Sequence, residues 1–367
     1  MIDTVVLTIP INNCRILDPD CFNPSLTYLS TAKFGPRAFI KSLQNPPEEF
    51  IGGPYLTVTR RAVRGGLTTL LKLQFSAPKL IYKNNLDELA DTDFEMVVNV
   101  LVDRMKHMGV GVTTDILNRA QVSAVHYSKN IPLPQYVTSS MIIKELSKVD
   151  LTQRLSLDRT KFKDLGYALT FCSKSYWVVV YDKIKDLQKK NGLKMDSDNP
   201  AQLNLLQKTE VLRIETRLNL KSKIVSLLRG MGEDQNTTFE NLFSSRISKK
   251  IVSHFWDLMT SGTNQVVLSN DLNPEKLATE ILKSEPKITT QRLLAIIGSM
   301  YFGRSCGQRP LRQFITKHYT DRTWFRLNNS LKRYKDSVGN ESAYFSKVSE
   351  EITKYLPAKS DLLCKEM

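Results

Sequence analysis

Gln74, His126, Tyr181, Lys183, Arg213, Glu215 and Arg217 are polar residues set into runs that otherwise read as apolar strands. Side chains on a strand alternate between its two faces, so Arg213, Glu215 and Arg217 fall on one face, and Tyr181 and Lys183 also fall together. Burying such a face is costly unless its charges are paired, solvated or reserved for a ligand. Two readings stand open. In one, Glu215 neutralises two arginines in an ion-pair lattice and Tyr181 caps the edge of a core. In the other, the group is a phosphate site. A tyrosine hydroxyl, with a pKa near ~10, attacks a phosphodiester at neutral pH only with help from a cation, a base or a metal. Lys183 has the spacing to supply the cation. A divalent ion such as magnesium or manganese takes oxygen donors with an occasional imidazole, and His126, Glu215 and Gln74 are the strand residues of that kind.

Other chemistries lack their usual signals. The four histidines (His107, His126, His254, His318) include no pair two residues apart, which excludes a His-x-His ligand pair on one strand. The five cysteines (Cys14, Cys21, Cys172, Cys306, Cys364) have no paired C-x-x-C spacing, so reduced, non-ligand thiols are expected. There is no Walker A loop, G-x-G-x-x-G fingerprint, H-E-x-x-H helix or G-x-S-x-G elbow. The 52 Lys and Arg against 37 Asp and Glu leave a formal charge of +15 across 367 residues, a positive field that gathers polyanions and makes nucleic acid the leading partner class. No apolar run approaches the ~20 residues of a spanning helix, and "MIDTVVLTIPI" carries an acid at position 3 with strand-like alternation rather than a secretory signal. A soluble chain in the cytosol is the expectation.

The elements that must position these residues follow from periodicity. "YLTVTRRAVR" and "LTTLLKLQFS", parted by Gly65-Gly66, predict a β-hairpin. Apolar residues from Phe94 to Met108 recur at helical spacing and stop at Gly109. Strands are expected at 121 to 131, 167 to 173, 176 to 183 and 211 to 218, with helices from about 139 and from Asn199-Pro200. Such alternation up to about 220 predicts an α+β domain on an antiparallel sheet with flanking helices. From 219 onward helical periodicity dominates. The expected division is therefore a domain over 1–225 carrying the candidate chemistry and a mostly helical domain over 226–367 for DNA binding or oligomerisation.

Basic residues group at Arg60, Arg61 and Arg64, at Lys79 and Lys129, on the Arg213 and Arg217 strand, and near Arg304, Arg309 and Arg312. For any one of them a solvated charged face is the simpler reading; their grouping, with aromatics interleaved near the C-terminus, suits phosphate contacts and base stacking. Thr289 to Tyr334 is read as a helix-turn-helix-like stretch with a turn around 303 to 310.

Four blocks, "MIDTVVLTIP", "FSAPKLIYKNNLDEL", "VVVYDK" and "LRIETRLNLKSK", occur in an order that resembles the replication initiation proteins of filamentous phages, the gene II and gene X family, and related phage and plasmid rolling-circle Rep proteins. The similarity is dispersed over roughly the first 225 residues. It implies a Rep-nuclease-like fold and an origin-specific endonuclease and strand-transferase that nicks one strand of double-stranded origin DNA and holds the 5′ phosphate on a tyrosine. It further implies a divalent metal, a host helicase and polymerase as partners in the bacterial cytoplasm, and a homodimer as one assembly. The family's apolar run ending Tyr-x-Lys maps onto Tyr181 and Lys183, and its R-x-E-x-R acid onto Glu215. The chain departs from the pattern at His126 and Gln74, where acids are expected, so a different ligand set is required. A non-catalytic origin-binding regulator using the same positive surface is the alternative. Termination needs a second transesterification, and Tyr176 falls on the opposite strand face from Tyr181.

Overall fold

In the computed structural model, residues 1–27, 39–63, 66–134, 136–151, 159–163, 167–191, 209–261, 264, 268, 273–334 and 343–360 are described. The expected helix start at Asn199-Pro200 and the side chain of Arg64 lie outside them.

Among the described residues, nine strands form one sheet. They are β1 (Ile2–Pro10), β2 (Phe39–Gln44), β3 (Tyr55–Val63), β4 (Gly66–Ser76), β5 (Gln121–Pro132), β6 (Arg159–Lys163), β7 (Ala168–Cys172), β8 (Tyr176–Asp182) and β9 (Val211–Leu218). Their order across the sheet is β2-β3-β4-β1-β5-β9-β8-β7-β6, and every neighbouring pair is antiparallel. The architecture is therefore mixed α and β on an antiparallel sheet. The expected hairpin is present, since β3 and β4 pair down to Val63 opposite Gly66.

One face carries the large core. Alternation turns Val5, Leu7 and Ile9 of β1 and Leu71, Leu73 and Phe75 of β4 inward, each at most 1% exposed. The helices that pack into this core are α1 (Ala77–Tyr82), α2 (Phe94–His107), α3 (Ser139–Leu146), α5 (Lys221–Gly230), α6 (Ser245–Thr260) and α11 (Ala343–Lys354). Each presents an apolar stripe at helical spacing, as in Ile247, Ile251, Phe255 and Met259 of α6. The cluster thus runs through helices 221–260 and 343–354, past position 225. A second apolar cluster joins α7 (Pro274–Ser284), α8 (Thr290–Cys306), α9 (Gln308–His318) and α10 (Asp321–Arg333) around Met300, Leu311, Trp324 and Leu331. No described helix is long and apolar enough to cross a membrane.

The other face of the sheet is built differently. Residues directly opposite in an antiparallel pair share a face. Three rows therefore cross β5, β9 and β8: His126 with Arg217 and Trp177, Ser128 with Glu215 and Val179, and Asn130 with Arg213 and Tyr181. Among the described residues this face carries a small apolar cluster of Ala168, Val179 and Tyr181 with Tyr167 and Trp177. α4 (Lys183–Asn191) leaves the end of β8 and docks Ile184 on Leu86 and Val211.

Candidate active site on the second face of the sheet

Glu215 is the centre of this face and is 3% exposed. The Tyr181 hydroxyl donates to its Oε2 at 3.1 Å, and Arg217 Nε donates to its Oε1 at 2.9 Å. His126 Nδ1 lies 3.3 Å from Oε1, and Arg213 Nε lies 3.8 Å from Oε2. Burial alone pushes the Glu215 carboxyl up, but the hydrogen bond from His126 and the guanidinium groups of Arg217 and Arg213 outweigh it and hold it well below the usual carboxylate range. Glu215 is therefore ionised at neutral pH.

Arg213 ties this centre to its surroundings. Its Nη2 lies 3.1 Å from Asp3 Oδ2, while its Nη1 donates to the Asn85 carbonyl at 2.7 Å and to Asn130 Oδ1 at 3.2 Å. Asn85 also takes Lys183, whose Nζ donates to its Oδ1 at 2.6 Å. Lys183 is fully buried, and Nζ stands 6.0 Å from the centre of the Tyr181 ring. Burial, helped by the Arg213 charge, drives its pKa well below the usual lysine value. Tyr181 is 7% exposed, and burial raises its hydroxyl pKa well above the ordinary value.

The third acid comes from β1. Ile2 pairs with Tyr127 and Val5 with Val125, so the register shifts between them and both Asp3 and Thr4 oppose the single residue His126. A bulge of this kind re-aims a side chain, and here it accompanies Asp3 beside His126 and Glu215. Ligand atoms of Asp3, His126 and Glu215 all lie within 4.8 Å of one another, a group that could hold a metal ion. Two carboxylates and an imidazole are the donor types a divalent cation takes. The fit has a second support: Asp3 is 5% exposed, and its Oδ1 is buried with no hydrogen-bond partner among the described residues. Burial works to raise the Asp3 carboxyl, and Arg213 together with Lys183 and His126 outweighs it, leaving the group lowered and anionic.

Tyr181, Lys183, His126, Arg213, Glu215 and Arg217 thus come together, Lys183 as the first residue of α4 just past the end of β8. Gln74 does not take the third donor position. It is exposed on β4, one strand beyond β1 and opposite Val6, and Asp3 stands where it was expected. Asp3, Asn85 and Asn130 are the members that sequence reasoning missed. An acid inside an otherwise apolar strand was the one available sign of Asp3.

Two expected DNA contacts are corrected by burial. Lys129 is 2% exposed on the core face, where Nζ pairs with Glu88 Oε2 at 2.9 Å. Arg213 is 1% exposed and occupied within the site, so neither reaches a surface phosphate. Arg312 pairs with Asp150 at 3.1 Å. Arg60, Lys79 and Arg304 are half-buried, Arg309 is exposed, Arg217 is 31% exposed over the site, and Arg61 lies in β3. Tyr176 turns to the core, its ring centre 5.3 Å from that of Phe255. No protein-family model matches the chain, and no curated protein matches it, so the site is read from its own chemistry.

Proposed function

We propose that the chain is a rolling-circle replication initiator with a Rep-nuclease-like sheet, a metal-dependent endonuclease and strand-transferase that nicks one strand of origin DNA and keeps its 5′ phosphate on Tyr181. The observation that carries this reading is the hydrogen bond from the Tyr181 hydroxyl to Glu215, the carboxylate that shares a metal-capable group with Asp3 and His126. A magnesium or manganese ion held by Asp3, His126 and Glu215 would supply Lewis-acid polarisation of the phosphodiester. Arg213 and Arg217 balance the two carboxylates, so the site favours an added cation chiefly together with an anionic ligand such as a phosphodiester.

The residues then divide the work. Tyr181 Oη bonds to phosphorus while the bond from phosphorus to the 3′ oxygen breaks. Glu215, the hydrogen-bond acceptor, orients the hydroxyl, the phenolic proton passes to water, and the departing 3′ oxygen takes a proton from water. Arg217, partly exposed beside Glu215, is positioned to steady the phosphoryl oxygens. Lys183, through Asn85, fixes the end of the strand that carries Tyr181. One phosphodiester is exchanged for another, so the bond energy is kept for rejoining, and the free 3′ hydroxyl serves a polymerase behind a helicase.

A second reading, a DNA-binding replication regulator without chemistry, is favoured by the burial of Tyr181 and by the saturation of Glu215 with arginines, the pattern of an ion-pair lattice. Nicking of supercoiled DNA from the chain's own replicon, with magnesium, with manganese and with chelator, separates the two. The initiator nicks only with metal, and Tyr181→Phe binds the DNA but leaves it intact. Band shifts without nicking under every condition support the regulator instead.

A further inference from the structure

α10 is amphipathic in an unusual sense, with its apolar side wholly consumed. Trp324 and Leu331, with Tyr334 just beyond the helix, are at most 3% exposed and pack with Met300 of α8 and Leu311 of α9. Its outer side carries Arg322, Phe325, Arg326 and Asn329, residues at helical spacing that all stand exposed, Phe325 at 59%. Among the described residues neither Arg322 nor Arg326 has an ion-pair partner, and Asp321 is the only acid between 304 and 333. The helix is also held rigidly. Only Tyr319 and Thr320 separate it from α9, and Thr320 caps it by accepting from the Thr323 amide at 3.3 Å.

We infer that the outer face of α10 is a duplex-reading surface that enters the major groove of double-stranded DNA, with Arg322, Arg326 and Asn329 toward base edges and Phe325 against a thymine methyl. An α-helix about 10–12 Å across fits a B-form major groove of about 12 Å. Arginine and asparagine are the side chains whose paired donors and acceptors match guanine and adenine there. The packing of α8 and α9 behind it supplies the rigid support that helix-turn-helix readers need. Duplex RNA is a poorer fit because its major groove is narrow and deep. An anionic bilayer is also a poorer fit, since a helix lying on a membrane exposes a continuous apolar stripe, and the stripe of α10 is buried. The inference deepens the proposed function by naming how an origin would be found, yet its test needs no cleavage.

The test uses the full chain in chelator, so that no strand is cut. Binding is measured by fluorescence anisotropy to a labelled random-sequence duplex of roughly two helical turns, to its single strand, and to phosphatidylserine-containing vesicles, together with selection from a random duplex pool. Arg322→Ala/Arg326→Ala is expected to weaken duplex binding at least about tenfold and to abolish enrichment of any motif. Lys106→Ala/Lys144→Ala removes the same charge from exposed positions elsewhere and is expected to keep the motif. Equal losses in the two variants, unchanged binding in the first, or tighter binding of wild type to single strand or vesicles than to duplex would each overturn the assignment. Because cleavage is never read, failure here leaves the Tyr181 chemistry to stand or fall on its nicking assay.

Discussion

Two buried charge clusters lie back to back on β5, one on each face of the sheet. On the core face, Glu88 is closed: its Oε2 accepts from Lys129 at 2.9 Å and from the Ala358 amide at 2.9 Å, and its Oε1 accepts from the Asn130 amide. Lys129 spends a further donor on the Asn130 carbonyl at 2.8 Å. On the second face, Asp3 keeps a buried oxygen without a partner among the described residues, while His126 and Arg217 remain 21% and 31% exposed beside Glu215. Both clusters are costly to bury, and only the first is satisfied from within. The closed cluster is a strap that ties β5 to the 84–88 turn and the C-terminal segment. The open one has capacity left for a ligand.

That contrast predicts a separation of stability from chemistry. The largest effect falls on activity: Tyr181→Phe lowers metal-dependent nicking by at least about a thousandfold in a plasmid relaxation assay, with DNA binding unchanged. Lys129→Ala strands the Glu88 carboxylate and costs about 3–5 kcal/mol by denaturant unfolding, while nicking per folded molecule stays at the wild-type level. Asp3→Asn does the reverse, lowering nicking and metal affinity at least about tenfold for a stability cost of only about 1–2 kcal/mol. A stability loss for Asp3→Asn as large as that for Lys129→Ala would erase the distinction between the faces.

The closed cluster also has an acid signature. Burial works to raise the Glu88 carboxyl, and Lys129, the N-terminal amine and the backbone donors together outweigh it, so the folded value is depressed. Its contribution is therefore complete above the unfolded value of about 4.3 and is lost as pH falls through the folded value. Unfolding midpoints measured down the acid limb are expected to fall less steeply in Glu88→Gln than in wild type. The smallest effect belongs to exposed Arg309: Arg309→Ala weakens duplex binding uniformly across sequences and lowers the salt slope by about one.

Much of this was legible in strand phase. Period-two alternation in "VLRIETRL" and "YWVVVYDK" put Arg213, Glu215, Arg217 and Tyr181 on matching sides, and antiparallel pairing then aligned them with His126. Phase also held a warning about Lys129 that its charge concealed. It is out of step with His126 and in step with Tyr127 and Ile131, both fully buried, and so belongs to the core face. Gln74 was in the right phase on the wrong strand, because the placement of β1 between β4 and β5 is a long-range pairing that no local pattern encodes. Asp3 depended on a bulge, a two-against-one register that appears only once β1 and β5 are paired. Asn85 lies in a turn and joins the site through its carbonyl and amide, a contribution with no periodic signature.

Room for a cation on the second face, and none on the core face, is read out by Mn²⁺ binding to the full chain, followed by paramagnetic resonance with the metal alone and then with a short single-stranded DNA. A bound ion is expected whose affinity rises when DNA is present, falls at least about tenfold in Asp3→Asn, and is unchanged in Lys129→Met. Mn²⁺ binding that is indifferent to Asp3→Asn, or absent from wild type with and without DNA, would contradict it.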